Sequence, residues 1–118
     1  MSRYVDGFVI PVPREKMDDY LRTAENAGRV WREHGALQYC ECLGEDMDVS
    51  FGLPFPRLVQ PKEGEVIVFA FIVFASREER DRINAAVMAD PRMDMKDIPM
   101  CFDVDRMAYG GFTTLVDA

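Results

Sequence analysis

One uninterrupted apolar segment constrains the fold of this chain more than any other feature. The ten residues 66–75 follow Glu65 without a single polar side chain. The segment is too short to cross a bilayer as a helix, which takes about 20 apolar residues, and its Val, Ile and Phe content is typical of a β-strand. A half-exposed strand alternates apolar and polar residues, so both faces of this strand are expected to be buried. Helices of the same chain fit one face, and a second copy of the sheet is expected on the other.

Length, charge and cysteine content narrow the classes of function. At 118 residues the sequence predicts a single domain over residues 1–118. The formal charge of −7 and the pI of about 4.6 disfavour nucleic acids and acidic membranes as partners, because both are polyanions. The first ten residues carry Arg3 and Asp6 in place of a long apolar core, and the three cysteines are odd in number. These features predict a cytoplasmic protein with free thiols and no signal peptide.

Apolar periodicity and terminating residues predict four strands and two helices. Asp6 is the one charged interruption of the first strand, and Gly35 is suited to ending the first helix. Ser76 and Glu79 have the spacing of a capping box at the start of the second helix. In chain order the predicted elements are a strand at 4–12, a helix at 14–34, strands at 37–43 and 65–75, a helix from 77 to about 89, and a strand at 106–116.

This order of elements predicts a ferredoxin-like α+β fold with a four-stranded antiparallel sheet. Strands one and three, the two most apolar, are expected in the centre of the sheet, between strands four and two. Both helices would cover one sheet face. The opposite face would pack against the same face of a second copy and form a dimeric α/β barrel.

Residues 44–64 are predicted to form an unusually long loop. At about 20 residues the segment exceeds common connections, which indicates either a function or an excursion that packs on a partner. Its apolar side chains favour packing over disorder. These are Phe51, Leu53, Phe55 and Leu58.

Six blocks of sequence, in order along nearly the whole chain, resemble those of a known family. They are Tyr4-Val-Asp-Gly-Phe8; Gly35-Ala-Leu37 with Glu41 and Gly44; Glu65 with Val68-Phe69; Arg80-Asp81 with Asn84; Met88-Ala-Asp-Pro-Arg-Met93; and Arg106-Met-Ala-Tyr-Gly-Gly-Phe112. Together they resemble the YbaA-like family of small uncharacterised bacterial proteins, which is grouped with the dimeric α/β-barrel superfamily.

The resemblance implies a ferredoxin-like protomer and a homodimer, and it implies no activity, cofactor or catalytic residue. The wider superfamily includes cofactor-independent monooxygenases, haem-degrading enzymes, dehydratase-like enzymes and stress-response proteins, so the fold does not select a function. One block departs from the family pattern. Met100-Cys-Phe-Asp-Val-Asp-Arg-Met107 stands where family members resemble Met-Pro-Phe-Asp-Gly-Lys-Arg-Met.

Five side chains are candidates for acid/base chemistry. Asp6 interrupts an apolar central strand, where a carboxylate is costly unless it is paired. Glu41, Arg106 and Tyr109 belong to neighbouring strands. They would converge with Asp6 as acid, base and anion clamp, or form an ion network at the dimer interface. His34, the only histidine, is either a general base or a residue that satisfies the last carbonyls of the first helix.

Two further polar groups have open interpretations. Cys40, Cys42 and Cys101 are either a redox or metal-binding set or buried inert thiols, and they lack the four-ligand pattern of a structural zinc site. No metal and no cofactor are therefore predicted. Arg80 and Asn84 belong to a polar cluster on the second helix, which is either a solvated face or a network that fixes residues 90–105.

Two hypotheses of function follow. In the first, a homodimer binds a small, partly apolar molecule in a cleft beside the sheet, or transforms it by cofactor-free acid/base chemistry at the five candidates. In the second, the dimer is a non-catalytic binding or interaction module whose polar cluster is structural. The first predicts Asp6 or His34 exposed in a concave pocket, and the second predicts both in salt bridges with an apolar patch on residues 44–64.

Overall fold

A computed structural model describes residues 2–118. None of the helices in this range is both long enough and apolar enough to cross a membrane. Single 3₁₀ turns occur at 14–16, 91–93 and 104–106. In chain order the helices and strands are β1 (Tyr4–Pro13), α1 (Met17–His34), β2 (Gln38–Leu43), α2 (Phe55–Val59), β3 (Glu65–Phe74), α3 (Arg77–Met88) and β4 (Ala108–Thr113).

The four strands form one antiparallel sheet in the order β2-β3-β1-β4, which confirms the predicted strand order. β1 and β3 pair along their whole length, from Tyr4 opposite Phe74 to Pro13 opposite Glu65. These two apolar strands occupy the centre because a central strand is shielded on both edges as well as on its covered face. The more polar strands β2 and β4 form the two edges.

α1 and α3 cover the same face of the sheet. Ile10 and Val68 pack with Tyr20 of α1 in one buried cluster, and Ile72 packs with Ile83 of α3 in a second. Ser76 caps α3 as predicted, since its hydroxyl accepts a hydrogen bond from the Glu79 amide at 3.1 Å. Gly35 follows α1 at a φ of 120°, which favours glycine.

The opposite face of the sheet has no cover from residues 2–118 over its central part. Phe69 of β3 is 44% exposed and Phe112 of β4 is 61% exposed. In the sheet Val9 and Cys42 flank Phe69, so these side chains share one face. We call this surface, formed around Val9, Cys42, Phe69 and Phe112, the open face. Within one chain β3 is therefore buried on the helix side, whereas on the open face Ile67 is buried and Phe69 is exposed.

Residues 44–64 are not only a loop, because they include the short helix α2. Pro54 precedes this helix, and Gln60 ends it in the left-handed region at a φ of 53°. The apolar side chains of the segment do not pack into the core of their own chain. Phe51 is 93% exposed, and Leu53 and Leu58 are also exposed.

β4 is shorter than the predicted strand 106–116. Arg106 lies in a 3₁₀ turn, in which the Asp103 carboxylate accepts a hydrogen bond from the Asp105 amide at 3.0 Å. This side-chain hydrogen bond competes with strand pairing, so β4 begins only at Ala108. At the other end the Thr114 amide donates to the Arg3 carbonyl, and Leu115 and Val116 are exposed beyond it.

Candidate functional site

A cavity of about 160 Å³ lies between α1 and the covered face of the sheet. Residues of both buried clusters contribute to its wall, which is mostly apolar. Trp31, the only tryptophan of the chain, contributes to this wall. Other lining residues are Phe8, Ile10, Ala24, Ala27, Ala70 and Ile72.

Glu41 is the one ionisable carboxylate in the cavity wall, and two tyrosines hold it. The Tyr20 hydroxyl donates to Glu41 Oε1 at 2.5 Å, and the Tyr39 hydroxyl donates to Oε2 at 2.6 Å. Burial raises the pKa of both phenols, and the hydrogen bond to Glu41 and its negative charge raise them further. The tyrosines therefore stay protonated and act as hydrogen-bond donors. This fixes the carboxylate group at the cavity wall.

The same group separates the cavity from the outside of the molecule. An external groove between α1 and β2 is lined by Arg29 and Arg32, and Tyr39 and Glu41 line both the groove and the cavity. Gly28 lets the Tyr39 ring lie against α1, since a Cβ at this position would be 2.8 Å from Cδ1 of the ring. Gly28 therefore permits close packing of α1 on the sheet.

Asp6 is buried in a separate polar network beneath α3. Only 1% of the residue is exposed. Its carboxylate accepts hydrogen bonds from Arg80 Nε at 3.0 Å and from Asn84 Nδ2 at 3.2 Å. The Asn84 amide oxygen in turn accepts from Trp31 Nε1 at 2.9 Å. Burial, together with the charge of Asp6, raises the pKa of Tyr109, so this phenol also stays protonated.

Arg80 connects this network to the sheet edge. Its guanidinium lies over the Tyr4 ring, 4.9 Å from the centroid, in a cation–π arrangement. A Cβ on Gly111 would overlap both this guanidinium and the Tyr4 hydroxyl. The glycine in β4 therefore makes room for the arginine that balances Asp6.

Four of the candidates do not converge as predicted, because each charged group among them has its own partner elsewhere in the fold. These four are Asp6, Glu41, Arg106 and Tyr109. Asp6 and Tyr109 lie together, whereas Glu41 belongs to the cavity wall. Arg106 instead forms a two-pronged ion pair with Glu65, with nitrogen–oxygen distances of 2.7 and 2.8 Å. Arg106 precedes β4 in its 3₁₀ turn and thus meets the start of β3, at the far end of the sheet from Asp6.

His34 lies at the C-terminal end of α1, away from the other candidates. Its Nε2 is 2.8 Å from Asp90 Oδ2. Hydrogen bonds from Arg92 and from His34 hold the pKa of Asp90 well below its ordinary value. Arg92 also binds Glu33 at 2.7 Å, so these side chains tie the ends of α1 and α3 together. The histidine is thus paired with a carboxylate and not with the last carbonyls of its helix.

The sequence of residues 3–104 matches the model of a family described as a protein of unknown function, DUF1428. The chain belongs to this family. It is 41% identical over 115 residues to the uncharacterized protein YbaA of Escherichia coli strain K12, covering 98% of each chain. The YbaA of Shigella flexneri gives the same values. The resemblance to the YbaA-like family is therefore confirmed, and with it the membership of an uncharacterised group.

A solved structure supports the α+β fold of this DUF1428 protein. A crystal structure of a NIPSNAP family protein with unknown function from Agrobacterium tumefaciens has a TM-score of 0.61 to this chain. The similarity covers 95% of this chain and 87% of the other, at 16% sequence identity. At this identity the likeness concerns the fold alone.

Sequence reasoning missed the partners of Glu41 and of Asp6 in this family member. In the sequence Tyr20 and Tyr39 resemble ordinary core aromatic residues. Nothing in their spacing shows that their hydroxyls meet one carboxylate. Arg80 and Asn84 were expected on a solvated helix face or in a network with residues 90–105, but both are directed at Asp6. Their i, i+4 spacing places them on one helix face, which was the available signal.

Proposed function

We propose that this protein is a homodimer of ferredoxin-like protomers that binds a small, partly apolar molecule in the cavity between α1 and the sheet. The observation that carries this proposal is the cavity itself, because it combines an apolar wall with one carboxylate held in place by two tyrosines. Pockets that bind small molecules have this composition of apolar lining and few convergent polar groups.

The volume of the cavity limits the size of the molecule. At about 160 Å³ it is smaller than pockets for drug-sized ligands, which start at roughly 300 Å³. An engineered cavity of about 150 Å³ lined by apolar side chains binds benzene. The expected ligand is therefore a single aromatic ring or an aliphatic group of similar size.

Because Glu41 lies in the cavity wall, the ligand is expected to carry a polar group as well as an apolar part. Each carboxylate oxygen accepts one tyrosine hydroxyl and retains capacity for a second donor. A ligand with a hydroxyl or amino group is expected to fill this capacity, whereas a ligand with a carboxylate would be repelled. Tyr39 and Glu41 also line the external groove, which supports entry between α1 and β2.

The surroundings of the other candidates support binding over acid/base catalysis. Asp6, His34 and Arg106 each direct their hydrogen-bonding groups at protein partners. Glu41 and the protonated Tyr20 and Tyr39 are among the polar groups that line the cavity. Proton transfer at Glu41 is a second candidate function, favoured by the position of this carboxylate on the cavity wall.

The homodimer is supported by apolar surface that one chain leaves uncovered. Phe69 and Phe112 are exposed on the open face, and Phe51 and Leu58 are exposed on the 44–64 segment. Large exposed apolar side chains in a contiguous patch mark an interaction site, and Phe69 and Phe112 on one sheet face fit this pattern. The three free cysteines support a reducing, cytoplasmic setting.

The single tryptophan makes the proposal directly testable. Trp31 lines the cavity, so a bound ring is expected to change its fluorescence. The wild-type protein would be titrated with phenol, aniline, benzoate and toluene. We expect saturable changes with phenol and aniline, weaker binding of toluene, and no binding of benzoate.

Two variants separate cavity binding from nonspecific effects. Ala27→Leu fills the cavity and is expected to abolish the response, whereas Ala85→Leu on the exposed side of α3 leaves it intact. Glu41→Gln is expected to reduce the preference for phenol over toluene. The proposal fails if no probe gives a saturable response, or if Ala27→Leu responds as the wild type does.

A further inference from the structure

The two cysteines of β2 form a close pair of thiols outside the cavity. Cys40 and Cys42 are two residues apart on one strand, so both side chains lie on the open face, opposite to Glu41. Their sulfur atoms are 3.6 Å apart. Cys42 is exposed and Cys40 is half-buried. β2 is an edge strand of the sheet, so the pair lies at the margin of the open face, and a group bound there would compete with a second copy packed on this face.

Strand geometry disfavours a disulfide between these thiols. Two residues of an extended strand advance about 6.7 Å between Cα atoms. Disulfides are most common at about 5.5–6 Å between Cα atoms and usually stay below about 6.8 Å, so this pair is at the upper limit. β2 pairs regularly with β3 through both cysteines, which resists a closer approach of the two Cα atoms. A disulfide here would be strained and easily reduced.

A single atom bonded to both sulfurs fits the pair far better. With sulfur bonds of about 2.3 Å, the length of zinc–thiolate bonds, and an angle of roughly 100° at a pyramidal centre, the two sulfurs would be about 3.5 Å apart. This differs little from the 3.6 Å in the structure. A linear bridge would instead need about 4.6 Å at the same bond length, so the geometry favours a bent centre.

We propose that Cys40 and Cys42 form a dithiol site that binds one trivalent metalloid centre of the arsenical class through both sulfurs. Residues 2–118 contain no group of three or more His, Cys, Asp or Glu side chains placed to hold a metal ion. A structural zinc ion needs four ligands, so the two thiolates alone do not form a structural zinc site. A pyramidal trivalent centre needs only two thiolates, because its third bond is already made to an organic group.

The binding step is a condensation without change of oxidation state. An organic arsenoxide reacts with two thiols to form two arsenic–sulfur bonds. The two S–H bonds and the arsenic–oxygen bond break, and the oxygen leaves with both protons as water. Hydrogen bonding to Cys42 raises the pKa of the Cys40 thiol, so this thiol carries its proton at neutral pH.

Phenylarsine oxide is the probe for this site. One equivalent would be added to the reduced wild-type protein in the presence of excess glutathione, a monothiol, and intact mass would be measured under native conditions. We expect one phenylarsine group per chain, a loss of two titratable thiols, and release of the group by dithiothreitol. Retention against a monothiol is expected only where two protein sulfurs bind one arsenic.

Cysteine variants locate the site. Cys40→Ser and Cys42→Ser are each expected to lose the retained adduct, whereas Cys101→Ser keeps it, because Cys101 is buried elsewhere and donates to the Pro99 carbonyl. Circular dichroism would confirm that each variant is folded. The inference is overturned if the wild type retains no adduct, or if Cys42→Ser retains as much as the wild type.

Discussion

Asp6 shows how one residue can interrupt an apolar strand without destabilising it. A carboxylate with 1% exposure would be costly if unpaired. Arg80 and Asn84, one helical turn apart on α3, supply donors to both of its oxygens. No side-chain nitrogen or oxygen that is fully buried within residues 2–118 lacks a hydrogen-bond partner.

Replacing Asp6 is expected to be far more damaging than replacing the other carboxylate that Arg80 binds. Asp6→Ala leaves the partly buried Arg80 guanidinium without its inner partner and should lower the free energy of unfolding by about 3–5 kcal/mol. Asp81→Ala, at an exposed position, should cost less than about 1 kcal/mol. Urea denaturation of both variants measures the difference, and equal losses would contradict a structural role for Asp6.

Glu65 and Arg106 form a second tight pair at the opposite end of the sheet. The hydrogen bond from Arg106 lowers the pKa of Glu65 from 4.5 to about 2, and the backbone amide of Lys62 contributes to this shift. Because the folded pKa lies below the unfolded one, the stabilisation is full above about pH 4.5. It is lost as the pH falls toward 2.

Glu65→Gln should therefore lower stability in a pH-dependent way. Near pH 7 we expect a loss of about 1.5–3 kcal/mol in the free energy of unfolding, as for hydrogen bonds to charged groups. The gap to the wild type should narrow between pH 4.5 and pH 2, as measured by urea denaturation at several pH values. The exposed neighbour Glu63 provides the control variant Glu63→Gln. A gap that stays constant with pH would argue against the ion pair as its cause.

At the scale of elements, the packing of α1 against β2 decides whether the cavity exists. Gly28 brings the helix close to the Tyr39 ring, and that ring reaches Glu41. Helix propensity alone would favour alanine over glycine by about 1 kcal/mol. The glycine therefore lowers the stability of the helix but permits the contact between α1 and Tyr39 that closes the cavity wall.

Gly28→Ala tests this trade in two backgrounds. In the wild type the new Cβ would meet the Tyr39 ring at 2.8 Å, so we expect destabilisation by about 1–3 kcal/mol through overpacking. In a Tyr39→Ala background the ring is absent, and the same change should stabilise the protein by about 1 kcal/mol. Thermal or urea unfolding of the four proteins completes the double-mutant cycle. The same sign in both backgrounds would rule out the proposed contact.

For the whole molecule, the open face is the feature that a single chain does not explain. The covered face buries Asp6 and the two apolar clusters, whereas Phe69 and Phe112 remain exposed opposite to them. Packing this surface against a second copy would remove apolar area from water at about 25 cal/mol per Å². The 44–64 segment, with Phe51 exposed, would extend the same interface.

Phe69→Asp should split or unfold the proposed dimer, because it would place a charge between the two sheets. Phe71→Asp, on the same face, should act in the same direction. Met88→Asp, at an exposed position on α3, is the matched control and should leave the assembly unchanged. Multi-angle light scattering gives the mass of each protein in solution. A stable monomeric wild type would contradict the barrel-like dimer.

Local patterns in the sequence were enough to predict four strands and two helices in order, and topology rules for that order placed β1 and β3 in the centre of the sheet. The apolar run of β3, the cap at Ser76 and the glycine at 35 are readable without tertiary information. The strand ends and α2 were less predictable. The side-chain cap at Asp103 shortens the strand that was predicted over 106–116. Pro54 and Pro56 begin the short helix α2 inside the loop that was predicted over 44–64.

Tertiary structure alone decided which polar groups meet. Asp6 pairs with Arg80 across 74 residues of sequence, and Glu41 meets Tyr20 across 21. No periodicity encodes such distances, because they depend on how α1 and α3 rotate and shift over the sheet. The cavity follows from the same packing, since its wall combines residues of both buried clusters.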